Sequence, residues 1–230
     1  MGLRDQILDA TARVYAEHGF RGATTRRIAV AAGVNEVTLF RTFGSKASLI
    51  EAALRHTGAA GAAAPHALPD VPRDPERELT VWAADQLEQL RSRRALIRQA
   101  ITDFHARPGV ACATQGWDAA DVALHRYLVR LGELGFVAWD ADASAPAGRR
   151  LNAVPPGSRG EEVFAAAGMF MATLFSDAMG RDMMPQLYPP AERAPALYVR
   201  LFLRALACGG AGRGRGHGTR RRTPSSTEAA

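Results

Sequence analysis

A few residues of this chain have the types and spacing to meet a polyanion. Thr24, Thr25 and Arg26 open one short helical pattern, Asn35 and Glu36 open the next, and Lys46 opens a third. Unpaired backbone N–H groups at a helix start favour a phosphate, and a cation beside them adds to the attraction. Lys46, after Ser45 on a short Gly-Ser turn, is the best phosphate contact of the set, while Thr24 serves equally well as a helix cap. On the middle pattern Arg41 suits guanine O6/N7 or a phosphate, Val37 suits a thymine methyl, Thr38 suits either, and Phe40 shares their face.

Covalent and metal chemistry find less support. Cys112 and Cys208 are far apart and in no motif, which excludes a disulfide framework and a cysteine zinc site. The run Pro156-Gly157-Ser158-Arg159-Gly160 lacks the first glycine of a nucleophile elbow. Walker, zincin and dinucleotide fingerprints are all missing. Asp121 and His125 have the i, i+4 spacing of two metal ligands, but a solvated or salt-bridged pair is the simpler reading. No metal, cofactor or catalytic residue is expected. A helical enzyme with an incidental N-terminal bundle, or a thiol-based redox sensor, is the alternative to a binding protein.

The elements that must position these residues are helices. Val/Ile/Thr runs of period two are almost lacking, and hydrophobic residues make up 47% of 230 with aromatics only 7%. Ile7, Leu8, Thr11, Val14 and Tyr15 form one apolar face of a helix over 4–18, with Gly19 expected in the left-handed position that ends it. Thr24 caps a helix to 32 and Gly33 ends it. Asn35 caps a helix over 36–43 with Leu39 and Phe43 inward; Gly44 ends it and Ser45 caps a fourth. Two short helices joined through Gly33, with Ala29 and Ala32 at the crossing, make a helix-turn-helix whose second helix keeps one face free for a groove.

The ordered run Ile7-Leu8-Asp9-Ala10, Tyr15 to Phe20, Thr24 to Ala29, Ala32 to Asn35, Thr38 to Lys46 and Leu49 resembles the N-terminal domain of the TetR family of transcriptional repressors. The resemblance covers about the first fifty residues. It implies an all-α protein: a three-helix DNA-binding domain joined by a fourth helix to a larger helical domain that dimerises and holds a small-molecule effector. Three departures stand out: Arg27 replaces an acidic capping-box residue, Phe40 replaces a tyrosine, and Val37 replaces a small residue.

Beyond residue 57 the chain reads as a loop over 58–74, helices over 75–93, 95–106 and 117–135, a loop over 136–160, and two strongly apolar helices over 161–179 and 194–207. The expected domains are therefore 1–57 for DNA, 58–208 for effector and dimerisation, and a disordered basic tail at 209–230. Net charge is +3, −1 and +4 over these three stretches, so the positive charge sits at the two ends. The last two helices are apolar over wide faces, as a homodimer interface of four helices requires. Candidate effector contacts are Trp82, Gln86, Phe104, His105, Trp117, His125, Phe170 and Phe175. The expected partners are an operator in double-stranded DNA, a second copy and an unidentified small molecule. No uninterrupted apolar run reaches the ~20 residues of a membrane span. The N-terminus has no signal-peptide core, so the expected place is the cytoplasm, with no membrane partner.

Overall fold

A computed structural model of the chain describes residues 2–62, 67–104, 115–137 and 159–211. Among these every regular element is helical: α1 (Leu3–Gly22), α2 (Thr25–Ala32), α3 (Glu36–Phe43), α4 (Lys46–Ala62), α5 (Pro75–Ser92), α6 (Arg94–Phe104), α7 (Gln115–Glu133), α8 (Arg159–Gly180) and α9 (Ala194–Ala211). A single 3-10 turn, Pro185–Leu187, lies between α8 and α9. His105, Cys112 and the tail from 212 onward lie outside the described residues.

The helices build two cores. In the first, Ile7, Leu8, Val14 and Tyr15 of α1 meet Ile28 of α2, Leu39 of α3 and Leu49, Ile50 and Leu54 of α4. In the second, Leu79, Trp82 and Leu87 of α5 meet Leu124, Leu128 and Leu131 of α7, Val163, Phe170 and Leu174 of α8, and Val199 of α9. α6 adds Leu96 and Ala100 to the first core, while Ile97 packs against the second. It therefore packs in both, and α4 of the first core also packs against α7 of the second.

Three boundaries differ from the sequence expectation, and the simplest is α9, which runs to Ala211, so that residues 209–211, expected in the tail, are helical. α4 does not stop near Thr57 but continues to Ala62, with Gly58 buried inside it. Alanine is the best helix former and one glycine costs only ~1 kcal/mol, so Gly-Ala-Ala-Gly-Ala propagates a helix that is already packed. The expected division at 57 therefore falls inside a continuous helix. Gly19 has φ 64° and ψ −178°, an extended mirror-image conformation rather than the left-handed cap. The chain kinks there and resumes for one more turn, because Gln99 of α6 abuts it: a Cβ on Gly19 would sit 2.7 Å from Gln99 Nε2.

α5 starts as its sequence predicts. Asp74 accepts the Arg77 N–H at 3.1 Å, Pro75 follows it, and Glu78 Oε1 accepts the N–H groups of Arg73 and Asp74 at 3.0 Å each. α8 is long and apolar enough to cross a membrane by composition alone. In this fold it packs against α5, α6, α7 and α9, and leaves one face open.

Candidate nucleic-acid interface

The helix-turn-helix is fixed by three short devices. Thr24 Oγ1 accepts the Arg27 N–H at 3.2 Å, satisfying an N-terminal donor of α2. Gly33 takes φ 67° and ψ 31°, the left-handed turn that only glycine adopts without penalty. Asn35 Oδ1 accepts the Val37 N–H at 3.0 Å and starts α3. The crossing is then locked by Thr25, whose hydroxyl donates to Glu36 Oε2 at 2.7 Å, joining the first residues of α2 and α3.

α3 buries Leu39 fully, packs the half-buried Phe43 against the first core, and turns Val37, Phe40, Arg41 and Thr42 outward. Val37 is 69% exposed and Phe40 is 49% exposed; Arg41 and Thr42 are exposed and Thr38 half-buried. Single exposed apolar residues are ordinary, but two of them one turn apart beside an arginine on a short helix suit an interaction surface. Arg26 is exposed beside them at the start of α2. Val30, 77% exposed on α2, is a further outward apolar residue of the helix-turn-helix that sequence reasoning missed. The signal was present: Val30 follows Ala29 but lies off the Ile28, Ala29, Ala32 stripe.

Lys46 differs from its expected role. It is half-buried, donates from Nζ to the Phe20 carbonyl at 2.7 Å, and lies 4.5 Å from the Phe20 ring centre. It therefore ties the start of α4 to the end of α1. Thr25 and Glu36, expected as DNA contacts, are likewise engaged with each other. Arg27, at a helix start where a cation opposes the dipole, donates to the Gly22 carbonyl at 2.5 Å and so has its own acceptor.

Of the effector candidates whose side chains are described, Trp82 and Phe170 come together. Trp82, Gln86, His125 and Phe170 are buried in the second core, and Phe175 is half-buried on α8. Trp82 stacks on Phe170 at 6.5 Å, and Phe170 on Phe202 at 4.5 Å. Phe104 is 46% exposed at the end of α6, away from this stack. Trp117 lies in α7. Burial pushes the Asp121 carboxyl up and the His125 imidazole down, and the attraction between them recovers only part of either shift. No group of three or more metal-ligating residues occurs among the described residues. A cleft of about 240 Å³ opens elsewhere, on the outer side of α7, lined by Leu68, Asp70, Arg126, Tyr127, Arg130 and Glu133 among others.

Polar networks that the sequence did not suggest join α8 and the turn after it to α5, α6 and α9. Asp177 is fully buried and accepts from Arg91 at 3.0 Å, Arg181 Nε at 2.8 Å and the Tyr198 hydroxyl at 2.7 Å. Burial opposes its ionisation, but these hydrogen bonds win and hold its carboxyl below the usual range. Just beyond, Asp182 pairs with Arg94 at 3.1 Å and with both terminal nitrogens of Arg98.

Residues 7–53 match the family described as bacterial regulatory proteins, tetR family. The transcriptional repressor AcnR of Corynebacterium glutamicum is 38% identical over 91 residues, which is 37% of this chain and 47% of AcnR. The chain thus spans about half the length of the curated relatives it matches. Solved structures share the fold over nearly the whole chain. The regulator FadR of Bacillus subtilis, in complex with stearoyl-CoA, gives a TM-score of 0.57 at 18% identity, covering 89% of this chain and 97% of FadR. SmeT, in complex with triclosan, gives 0.62 at 18% identity, covering 98% and 100%.

Proposed function

We propose that this chain, a member of the tetR family of bacterial regulatory proteins, is a homodimeric transcriptional repressor of the cytoplasm. It holds operator DNA through α3 and is released by a small organic effector in the α5–α9 bundle. The observation that carries the reading is the outward face of α3. Val37, Phe40 and Arg41 stand in water on a helix whose start is capped and whose crossing with α2 is locked. Arg41 and Arg26 supply charge for bases and phosphates, and Val37 and Phe40 supply apolar contact to thymine methyls or sugar edges. Thr38 lies between them. Residues through about 57 make the DNA-binding part and the remaining helices the controlling part.

A second copy fits the open face of α8 and α9. Gly168, Met169, Ala172, Thr173 and Ser176 are exposed along α8, and Leu197, Leu201 and Ala205 along α9. Small side chains on one helix and apolar ones on the other let four helices approach closely. A two-fold dimer would present two α3 helices to successive major grooves, about 34 Å apart. The bound stearoyl-CoA of FadR and triclosan of SmeT support an effector site in a bundle of this shape. α6 is the link through which such a ligand acts, since it packs in both cores. No catalytic step is part of this account. A gel shift with the DNA flanking the chain's own gene tests it: a discrete complex, competed by the same sequence and not by scrambled DNA, is expected.

A further inference from the structure

His125 projects from α7 toward α8 and is buried, and its Nε2 finds no hydrogen-bond partner among the described residues. Buried polar atoms in folded proteins are nearly always paired, because an unpaired one has lost water and gained nothing. Arg91 Nε and Arg94 Nε are unpaired too, but each of those guanidinium groups is held through another nitrogen, whereas the His125 ring nitrogen is open to a group that enters the bundle. Its surroundings say what kind of group that is. The Phe164 ring of α8 lies 6.3 Å away, turned edge-to-face. Phe170, six residues further along α8, belongs to a separate stack with Trp82. The charged neighbour identified is Asp121, one turn earlier on α7.

We propose that His125 is the polar anchor of the effector site, and that the effector is a neutral molecule with an apolar or aromatic body whose hydroxyl donates to Nε2. The inference rests on the reading of the chain as an effector-controlled repressor. A neutral imidazole carries one donor and one acceptor nitrogen. On this proposal the ring proton is on Nδ1, which leaves Nε2 as a lone pair facing the bundle. A hydroxyl satisfies that lone pair. A carboxylate head brings no donor and meets Asp121. An ammonium head sheds its water for a niche in which burial already works against charge on both Asp121 and His125. A bare hydrocarbon leaves Nε2 unpaired.

Nitrogen NMR of the full chain, labelled in its histidine rings, reads the anchor directly. Phenol, benzene, benzoate and benzylamine serve as probes at matched millimolar concentrations. In the free protein, Nε2 of His125 should resonate as an unprotonated acceptor. Phenol should shift that signal in a saturable way, and the other three should not. Phenol should also raise the melting temperature of the wild type and lose that effect in His125→Leu; if this variant does not fold, His125→Phe, a ring without an acceptor, takes its place. A protonated Nε2 in the free chain, an unmoved signal in phenol, or a shift caused by benzoate or benzylamine overturns the proposal. The repressor reading fails separately, by absence of DNA binding in the unliganded chain, and phenol would still move His125 in that case.

Discussion

The Tyr15 hydroxyl of α1 donates to the Asp103 carboxylate of α6 at 2.9 Å, across 88 residues of sequence. The same carboxylate oxygen accepts the Phe20 N–H and the Gln99 amide at 3.2 Å each. One acid at the end of α6 therefore holds both sides of the Gly19 kink. Any movement of α6 is transmitted to α1, against which α2 and α4 are packed.

Tyr15→Phe removes this contact without changing volume. It should lower the unfolding free energy by about 1.5–3 kcal/mol, the range for a hydrogen bond to a charged group. Urea denaturation measures it, and Asp103→Ala should cost more, since three donors lose their acceptor.

The alkaline limb of stability follows from the tyrosines. Burial, then the hydrogen bond to Asp103, pushes the Tyr15 hydroxyl well above its ordinary value. Tyr127 beside Glu78 and Tyr198 beside Asp177 are raised for the same two reasons. A group whose folded value is raised contributes fully below its unfolded value of about 10 and loses that contribution as pH climbs beyond it. Stability should thus hold up to about that pH and fall steeply above it. Denaturation curves taken at rising pH check this, and Tyr15→Phe should flatten the slope.

Gly19→Ala tests the kink. Its conformation is essentially restricted to glycine and costs about 1–3 kcal/mol for any other residue. The new methyl also meets Gln99 Nε2 at 2.7 Å. Melting temperature should drop by several degrees. Adding Gln99→Ala should recover the steric part only, leaving most of the backbone cost; full recovery would mean the clash alone matters.

The first fifty residues were legible because each device there is local: a cap, a positive-φ glycine, an apolar residue at helical spacing. Thr24, Gly33, Asn35 and Leu39 are where their types require. Lys46 was not legible, because its acceptor is a backbone carbonyl 26 residues away, which leaves no pattern in side-chain identities. The continuation of α4 past Thr57 was hidden by two glycines that tertiary packing overrides. The Asp177 and Asp182 networks were invisible for a related reason. Arg181 is one turn from Asp177, but Arg91 lies 86 residues from it and Arg98 lies 84 from Asp182, and a charged residue on a helix reads as solvated until such neighbours are known.

Lys46 and Arg41 should now separate on two axes. Lys46→Ala, with a buried tie lost, should lower thermal stability as well as any DNA affinity. Arg41→Ala should leave stability unchanged within about 0.5 kcal/mol. It should weaken the specific site by about 1–3 kcal/mol per half-site and relax one base position. Calorimetric melting and binding titrations on specific and scrambled DNA read both.

Assembly is tested on the exposed positions rather than the packed ones. Phe202 stacks on Phe170 within its own bundle, so a charge there damages the core. Met169 is 71% exposed and Leu201 is 54% exposed. Met169→Glu with Leu201→Glu should convert a dimer to a monomer that keeps its helical circular dichroism but binds DNA far more weakly. Light scattering with a gel shift decides; a monomeric wild type would refute the assembly.

The most direct measurement of the central claim is selection of fragments from a genomic DNA pool by the full chain, followed by sequencing and footprinting. The account predicts a two-fold symmetric site with half-sites centred about one helical turn, 10 base pairs, apart. Enrichment should vanish when Arg41→Ala is combined with Val37→Asp. Recovery of no symmetric sequence, or the same sequence recovered by that double variant, would contradict the assignment of α3 as the reading helix.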